Sequence, residues 1–298
     1  MLTLYALLLL MVLCWSGNFI AVKFALREFS PFALACLRVW LSTLLLVAIY
    51  FASPARRHPR FAASDFKNFA LLGLTGIALN QTGFTVGLHY TTVAHSALII
   101  TLGPIFVLLL ARWQGLEALT SQKLLGMGLS FLGAAILTSE HGFGSTSPTF
   151  LGDAITLAGS VAFAVYTVAG KRVATSYSTL AMNTFAYLAG AAFLLPLAAW
   201  QLPQVAWSEI SWRGWLALGY VVVVASVLAY QIYYYALARL SASRVVAFTY
   251  LQPVLGTLLG VVLLGESLST QLIAGGSTVL VGVYLTERPG EANAPQGE

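Results

Sequence analysis

Charged side chains are too sparse along this 298-residue chain for water to be its only solvent. Asp, Glu, Lys and Arg make up 8% of it, hydrophobic residues reach 59%, and mean hydropathy is +0.84. A typical soluble domain carries about 25% charged residues. No soluble interior of this size hides that much apolar surface, so the chain is expected to fold in lipid. Breaks at Pro, Gly, Ser and charge clusters divide it into ten apolar runs, at 3–22, 32–52, 69–88, 94–113, 123–139, 153–171, 180–200, 214–236, 244–264 and 271–286. Each has about the length that a membrane-spanning helix needs. Backbone polar groups in hydrocarbon must be satisfied internally, so helices are expected throughout. No basic segment precedes the first run, which argues against a cleaved signal peptide. Residues 289–298 are polar and read as a disordered cytoplasmic tail.

The runs are not independent. Leu102-Gly103-Pro104 recurs 149 residues later as Leu251-Gln252-Pro253. At the same offset Leu88 falls on Leu237, Glu117 on Glu266, Gln122 on Gln271, Gly126 on Gly275 and Gly133 on Gly282. Earlier in the copies the offset is 148, pairing Lys23 with Lys171, Ser30 with Ser178 and Ala33 with Ala181. One residue of slip between the second and third runs reconciles the two values. Two domains follow, 1–141 and 150–288, each with five runs.

Five is odd, so the second copy is expected to enter the membrane upside down. Loop charge supports this. Arg56, Arg57, Arg60, Lys67, Arg112, Lys123, Lys171, Arg172, Arg239, Arg244 and Arg288 fall on the side of the N-terminus, 11 of the 15 Lys and Arg. The rule that positive loops stay inside makes both termini cytoplasmic. Inverted five-helix duplication is an architecture of secondary transporters.

Here the residues resemble a known family. Val86-Gly-Leu-His-Tyr-Thr-Thr-Val-Ala-His-Ser-Ala-Leu-Ile99, Gly103-Pro104 and Leu116-Glu117-Ala-Leu119 look like the EamA repeat of the drug/metabolite transporter superfamily. The second copy is Tyr235-Ala-Leu-Ala-Arg-Leu-Ser-Ala-Ser243, Gln252-Pro253 and Gly265-Glu266-Ser-Leu268. Trp15-Ser-Gly-Asn18 with Lys23, and Leu37-Arg38, fit the same pattern, which covers almost the whole chain. Departures are Leu116, where the second copy has Gly265, and Phe163-Ala164, where the family often has Trp-Ala. The resemblance implies an all-α bundle of ten transmembrane helices around a central cavity, in a bacterial inner membrane, passing small organic metabolites, often outward. It implies a monomer with lipid and a small-molecule substrate as its partners and no cofactor.

All ten acidic residues lie in loops or at run ends: Glu28, Asp65, Glu117, Glu140, Asp153, Glu209, Glu266, Glu287, Glu291 and Glu298. Small multidrug members of the same superfamily use a buried Glu in the first helix, where this chain has Cys14, Ser16 and Asn18. Proton-coupled drug or metabolite antiport is therefore the second reading, with His95 as its one titratable candidate. An integral membrane enzyme is a third, but no His-Glu-x-x-His, Gly-x-Ser-x-Gly or mid-run acidic pair occurs. Nor does a basic stripe with interleaved aromatics, so nucleic acid is not an expected partner. Cys14 and Cys36 read as packing residues, and no metal site is expected.

Polar and aromatic residues inside the runs suggest the site. Asn80 and Phe84 share a helical face beside Gln81. The repeat relates Gln81 to Tyr230, Phe84 to Tyr233, Asn18 to Tyr166 and Trp15 to Phe163. Buried amides and phenols need partners that a bundle interior supplies and lipid does not. The expected cavity lining is Trp15, Asn18, Asn80, Gln81, Phe84, Tyr166, Tyr230, Tyr233 and Gln252. Among Tyr233, Tyr234 and Tyr235, at least one should face a neighbour or lipid. Pro104 and Pro253 remove hydrogen bonds to Ile100 and Thr249, giving kinks that are either fixed or hinges. Gly83–Gly87 and Gly256–Gly260 are expected close helix contacts. Lys23, Arg27 and Arg38 either attract a substrate carboxylate or snorkel and pair locally. With so few basic residues available, a neutral or zwitterionic cargo is favoured, amino acids or similar amphipathic metabolites among them.

Overall fold

A computed structural model describes residues 2–53, 63–139, 149–255 and 270–287, and every regular element among them is helical. In chain order the α-helices are α1 (Leu2–Ala25), α2 (Pro31–Ala52), α3 (Ala63–Leu72), α4 (Asn80–Tyr90), α5 (Val93–Ile100), α6 (Gly103–Trp113) and α7 (Ser121–Ser139). Then come α8 (Thr149–Val173), α9 (Thr179–Phe193), α10 (Leu195–Gln201), α11 (Trp212–Gly219), α12 (Ala229–Leu237), α13 (Ala242–Ala247) and α14 (Thr270–Glu287). Among the described residues, six helical stretches are long and apolar enough to cross a membrane, seven if α9 and the segment after it, bent by 58°, count as one. Gly256–Gly260, Glu266, Arg56, Arg57, Arg60, the end of the ninth run and the tail lie outside the described residues.

Two runs are broken where proline removes a donor. Pro196 cannot bond the Ala192 carbonyl, and the seventh run, expected as one span over 180–200, bends between α9 and α10. Pro104 cannot bond the Ile100 carbonyl, and α5 ends at Ile100 before α6 restarts with Pro104 in its first turn. In the second copy α13 gives way to a 3-10 turn at Phe248–Tyr250, just before Pro253.

Several local devices occur twice, at the repeat offset. Ser30 and Ser178 cap α2 and α9, each accepting from the N–H three residues on, Ala33 and Ala181. Between α3 and α4 the helix widens to π over Gly73–Leu79, and between α11 and α12 over Tyr220–Leu228. The Asn80 N–H reaches back to the Thr75 carbonyl and the Ala229 N–H to the Val224 carbonyl. Lys23 Nζ donates to the carbonyls of Leu88 (2.7 Å) and Thr91 (2.9 Å) at the end of α4. Lys171 Nζ donates to those of Leu237 and Leu240, both at 2.7 Å, at the end of α12. A helix end leaves carbonyls without intrahelical partners, and a cation answers both their lone pairs and the helix dipole. Lys23 and Lys171 are therefore clamps, a role the sequence reading did not assign.

Small residues decide which helices touch. The backbones of α7 and α14 are in contact: a Cβ on Gly126 would stand 2.7 Å from the Gly282 carbonyl, and one on Gly133 2.7 Å from the Gly275 carbonyl. Gly83 and Gly87 lie against α8, where a Cβ on Gly83 would meet Gly159 at 3.1 Å. Such pairs let backbones approach in lipid, where packing has to supply what hydrophobicity does not.

Candidate functional site

Helices from both copies frame one cavity, with about 730 Å³ of unfilled space counted out to its mouth. Trp15 and Asn18 come from α1, Arg38 from α2, Asn80, Gln81 and Phe84 from α4, and Ile100, Gly103 and Pro104 from the α5–α6 break. Thr156, Gly159, Ser160 and Phe163 come from α8, Tyr230 from α12, and Val246, Thr249 and Gln252 from α13 and the turn after it. Seven of the nine residues expected from sequence border it.

Tyr166 and Tyr233 do not. Both are fully buried and lie nearly parallel behind the wall, ring centroids 6.3 Å apart. Phe163 and Trp15 stand against them, and Tyr233 shares a hydrogen bond with Thr167. Gly76 makes room for Tyr166, because any side chain there would occupy the Tyr166 ring. These tyrosines build an aromatic layer that backs the cavity. Tyr234 belongs to that layer, whereas Tyr235 is half-exposed under the Arg239 guanidinium, 3.5 Å from its ring centroid. Pro104 lines the cavity; Pro253 is not among its lining residues.

Hydrogen bonds fix the polar groups. Asn80 donates to the Gly159 carbonyl (3.0 Å) and accepts from the Tyr230 hydroxyl (3.3 Å). Gln81 donates from Nε2 to the Tyr187 hydroxyl (2.6 Å), which donates to the Ser226 carbonyl (3.0 Å). Because that hydroxyl spends its only proton on Ser226, Gln81 must be the donor, and its Oε1 is left over. Arg38 joins the same network, Nε donating to Ser226 Oγ at 2.8 Å. The Trp15 indole donates to the Ala225 carbonyl at 3.1 Å, tying α1 to the π segment.

Arg38 is the residue that sequence reasoning undervalued. Placed among outer-side cations there, it is 3% exposed and borders the cavity. The signal existed: Arg38 lies seven residues past Pro31, about 10 Å into the helix, too deep to reach the interface easily. Its Nη1 has no partner among the described residues. Among the described residues, none that lines the cavity is a carboxylate. Nor do the described residues contain a group of three or more His, Cys, Asp and Glu able to hold a metal. The side chain of His95 lies outside the described residues.

Away from the cavity, Glu117 links the copies. It accepts from the Ser243 N–H (3.0 Å), the Ser243 hydroxyl and Lys123 Nζ (2.6 Å). Burial pushes its carboxyl up, but Lys123 and Ser243 outweigh burial and hold it below the ordinary carboxylate range. Glu28 accepts from the Ser211 N–H (2.6 Å) and hydroxyl (2.7 Å) at the start of α11.

Residues 2–139 and 150–288 both match the EamA-like transporter family. The chain belongs to that family. A transporter of Archaeoglobus fulgidus, itself uncharacterised, is 31% identical over 285 residues, covering 95% of this chain and 96% of its own. An inner membrane transporter of Escherichia coli is 26% identical, with 96% and 91% covered. A probable terminal-alkyne amino-acid exporter of Streptantibioticus cattleyicolor is 28% identical, with 94% and 92% covered. One crystal structure shares the fold at a TM-score of 0.77 and 21% identity, covering 95% of this transporter and 98% of that chain. The EamA protein is thus a helical membrane transporter, and its cavity is the place to seek its cargo.

Proposed function

We propose that this transporter passes amino acids or similar small amphipathic metabolites, as an exporter or facilitator, by alternating access through the central cavity. The observation that carries the reading is the cavity itself: Asn18, Asn80, Gln81 and Arg38 from the first copy face Tyr230 and Gln252 from the second. Ten helices in two inverted sets of five would let the copies rock about it, with both termini cytoplasmic. Loop charge supports the inversion, and the clamps, caps and π segments that recur at the repeat offset support the duplication. Pro104 and Pro253, beside interruptions in matching helices, are proposed as the hinges. The resemblance to an amino-acid exporter favours that substrate class. A lining with no carboxylate among the described residues weighs against proton-coupled antiport.

Purified protein in liposomes, given a panel of labelled amino acids with and without a pH gradient, tests the reading. Saturable flux of at least one, independent of the gradient, is expected. Transport of none would sink the amino-acid assignment, and strict dependence on the gradient would overturn the facilitator mechanism.

A further inference from the structure

We propose that Arg38 anchors a carboxylate of the cargo, while the carbonyl oxygens of Gln81 and Asn18 take a hydrogen-bond donor on the same molecule. The cargo class becomes a small carboxylate with a neighbouring N–H or ammonium, the pattern of an α-amino acid, and cations are excluded. This rests on the transport reading above and adds to it the polarity of the site.

Three buried atoms of the cavity lining lack partners among the described residues: Arg38 Nη1, Gln81 Oε1 and Asn18 Oδ1. One is a donor that bears charge and two are acceptors. A guanidinium stays charged in proteins, so Arg38 cannot escape its burial by losing a proton. It makes no ion pair among the described residues, and its one bond to protein goes to a neutral hydroxyl. A buried, uncompensated cation is costly, and a charge-assisted bond to an arriving carboxylate relieves that cost. Removing a substrate cation from water into the same cavity would add to it.

One of the acceptors, Gln81 Oε1, is held in place by the same chain of bonds. Ser226 receives Arg38 on its hydroxyl and Tyr187 on its carbonyl, and Tyr187 orients Gln81 so that Oε1 is free. Donor and acceptor are therefore positioned by one network from α2, α4, α9 and the second π segment. The repeat did not make this site symmetric. Arg38 corresponds to Ala186 and Gln81 to Tyr230, so the second copy has no equivalent cation or amide.

Thermal unfolding of the purified transporter tests the polarity without requiring flux. The probes are leucine, threonine and phenylalanine, each as free acid, methyl ester and N-acetyl acid. At least one free acid should raise the unfolding temperature, and its N-acetyl form should still bind. Its ester, which keeps the ammonium and loses the anion, should bind about tenfold more weakly or worse. Arg38→Gln should abolish the preference for acid over ester. An ester binding as tightly as its acid would overturn the proposal, as would an absence of stabilisation by every carboxylate. Should Arg38→Gln fail to fold, the acid-to-ester ratio of the wild type decides alone. Stabilisation by an acid with no flux of any amino acid would leave the carboxylate site standing and remove the transport reading. Equal flux of acids and esters would do the reverse.

Discussion

The two copies agree where the backbone needs help and disagree where a solute would sit. Lys23 and Lys171 clamp the ends of α4 and α12 through the same pair of carbonyl positions. Ser30 and Ser178 cap their helices alike, and the π segments end at Asn80 and Ala229, which correspond. At the cavity the correspondence fails: Asn18 answers to Tyr166, Arg38 to Ala186, Asn80 to Ala229 and Gln81 to Tyr230. Helix ends in lipid carry the same unsatisfied groups in both copies, so the solutions persist. A small cargo has no two-fold symmetry, and a lining that recognises its ends can diverge. Both copies supply aromatic surface and at least one amide, but the cation Arg38 and three of the four amides come from the first copy.

The frame can be tested for equality. Gly126 touches Gly282 as Gly133 touches Gly275, so Gly126→Ala and Gly133→Ala should each destabilise by about 3 kcal/mol. Thermal unfolding in detergent would read this, and an effect confined to one glycine would break the symmetry of the α7–α14 pair. Next in size are the clamps. Lys23→Met and Lys171→Met each leave two carbonyls without their charged partner and should cost about 2 kcal/mol apiece. Unequal losses would show that one lysine serves the cargo as well as the fold.

Smaller effects should appear in the cavity, and there they should be unequal. Asn80→Ala removes bonds to Gly159 and Tyr230, and flux should fall about tenfold while folded yield holds. Tyr230→Ala should also lower flux; unchanged flux in both variants would reduce these residues to packing. The smallest effect concerns Glu117. Its carboxyl is depressed in the folded protein, so its contribution is full above the ordinary carboxylate range and is lost as pH falls through the lower folded value. Wild-type unfolding temperature should therefore drop more steeply than that of Glu117→Gln at pH below about 4, by an amount worth about 1 kcal/mol. Parallel curves would remove Glu117 from the link between the copies.

Much of this was legible in the sequence, because lipid leaves few choices. Apolar runs gave the helices, and Pro104 marked the break between α5 and α6. Amides and aromatics inside the runs pointed to seven residues that border the cavity. Depth along a helix was harder to read than facing. Tyr166 and Tyr233 share the aromatic character of the wall, but Gly76 makes room for Tyr166 one layer behind it, and no periodicity predicts such a recess. Arg38 stood out only as one of three outer-side cations, because its seat, Ser226, lies 188 residues away on a π segment that local propensity does not announce. The Pro196 bend follows from proline chemistry inside a run whose length otherwise reads as one span.

Exchange across a liposome bilayer tests the central claim most directly. Labelled amino acid trapped inside is chased with unlabelled amino acid outside, for wild type, Arg38→Gln and Lys171→Met at equal amounts of folded protein. A shared frame around a divergent cavity predicts saturable exchange by the wild type and by Lys171→Met, with exchange lowered about tenfold or more in Arg38→Gln. Undiminished exchange in Arg38→Gln would contradict it and move the path of the cargo elsewhere in the molecule.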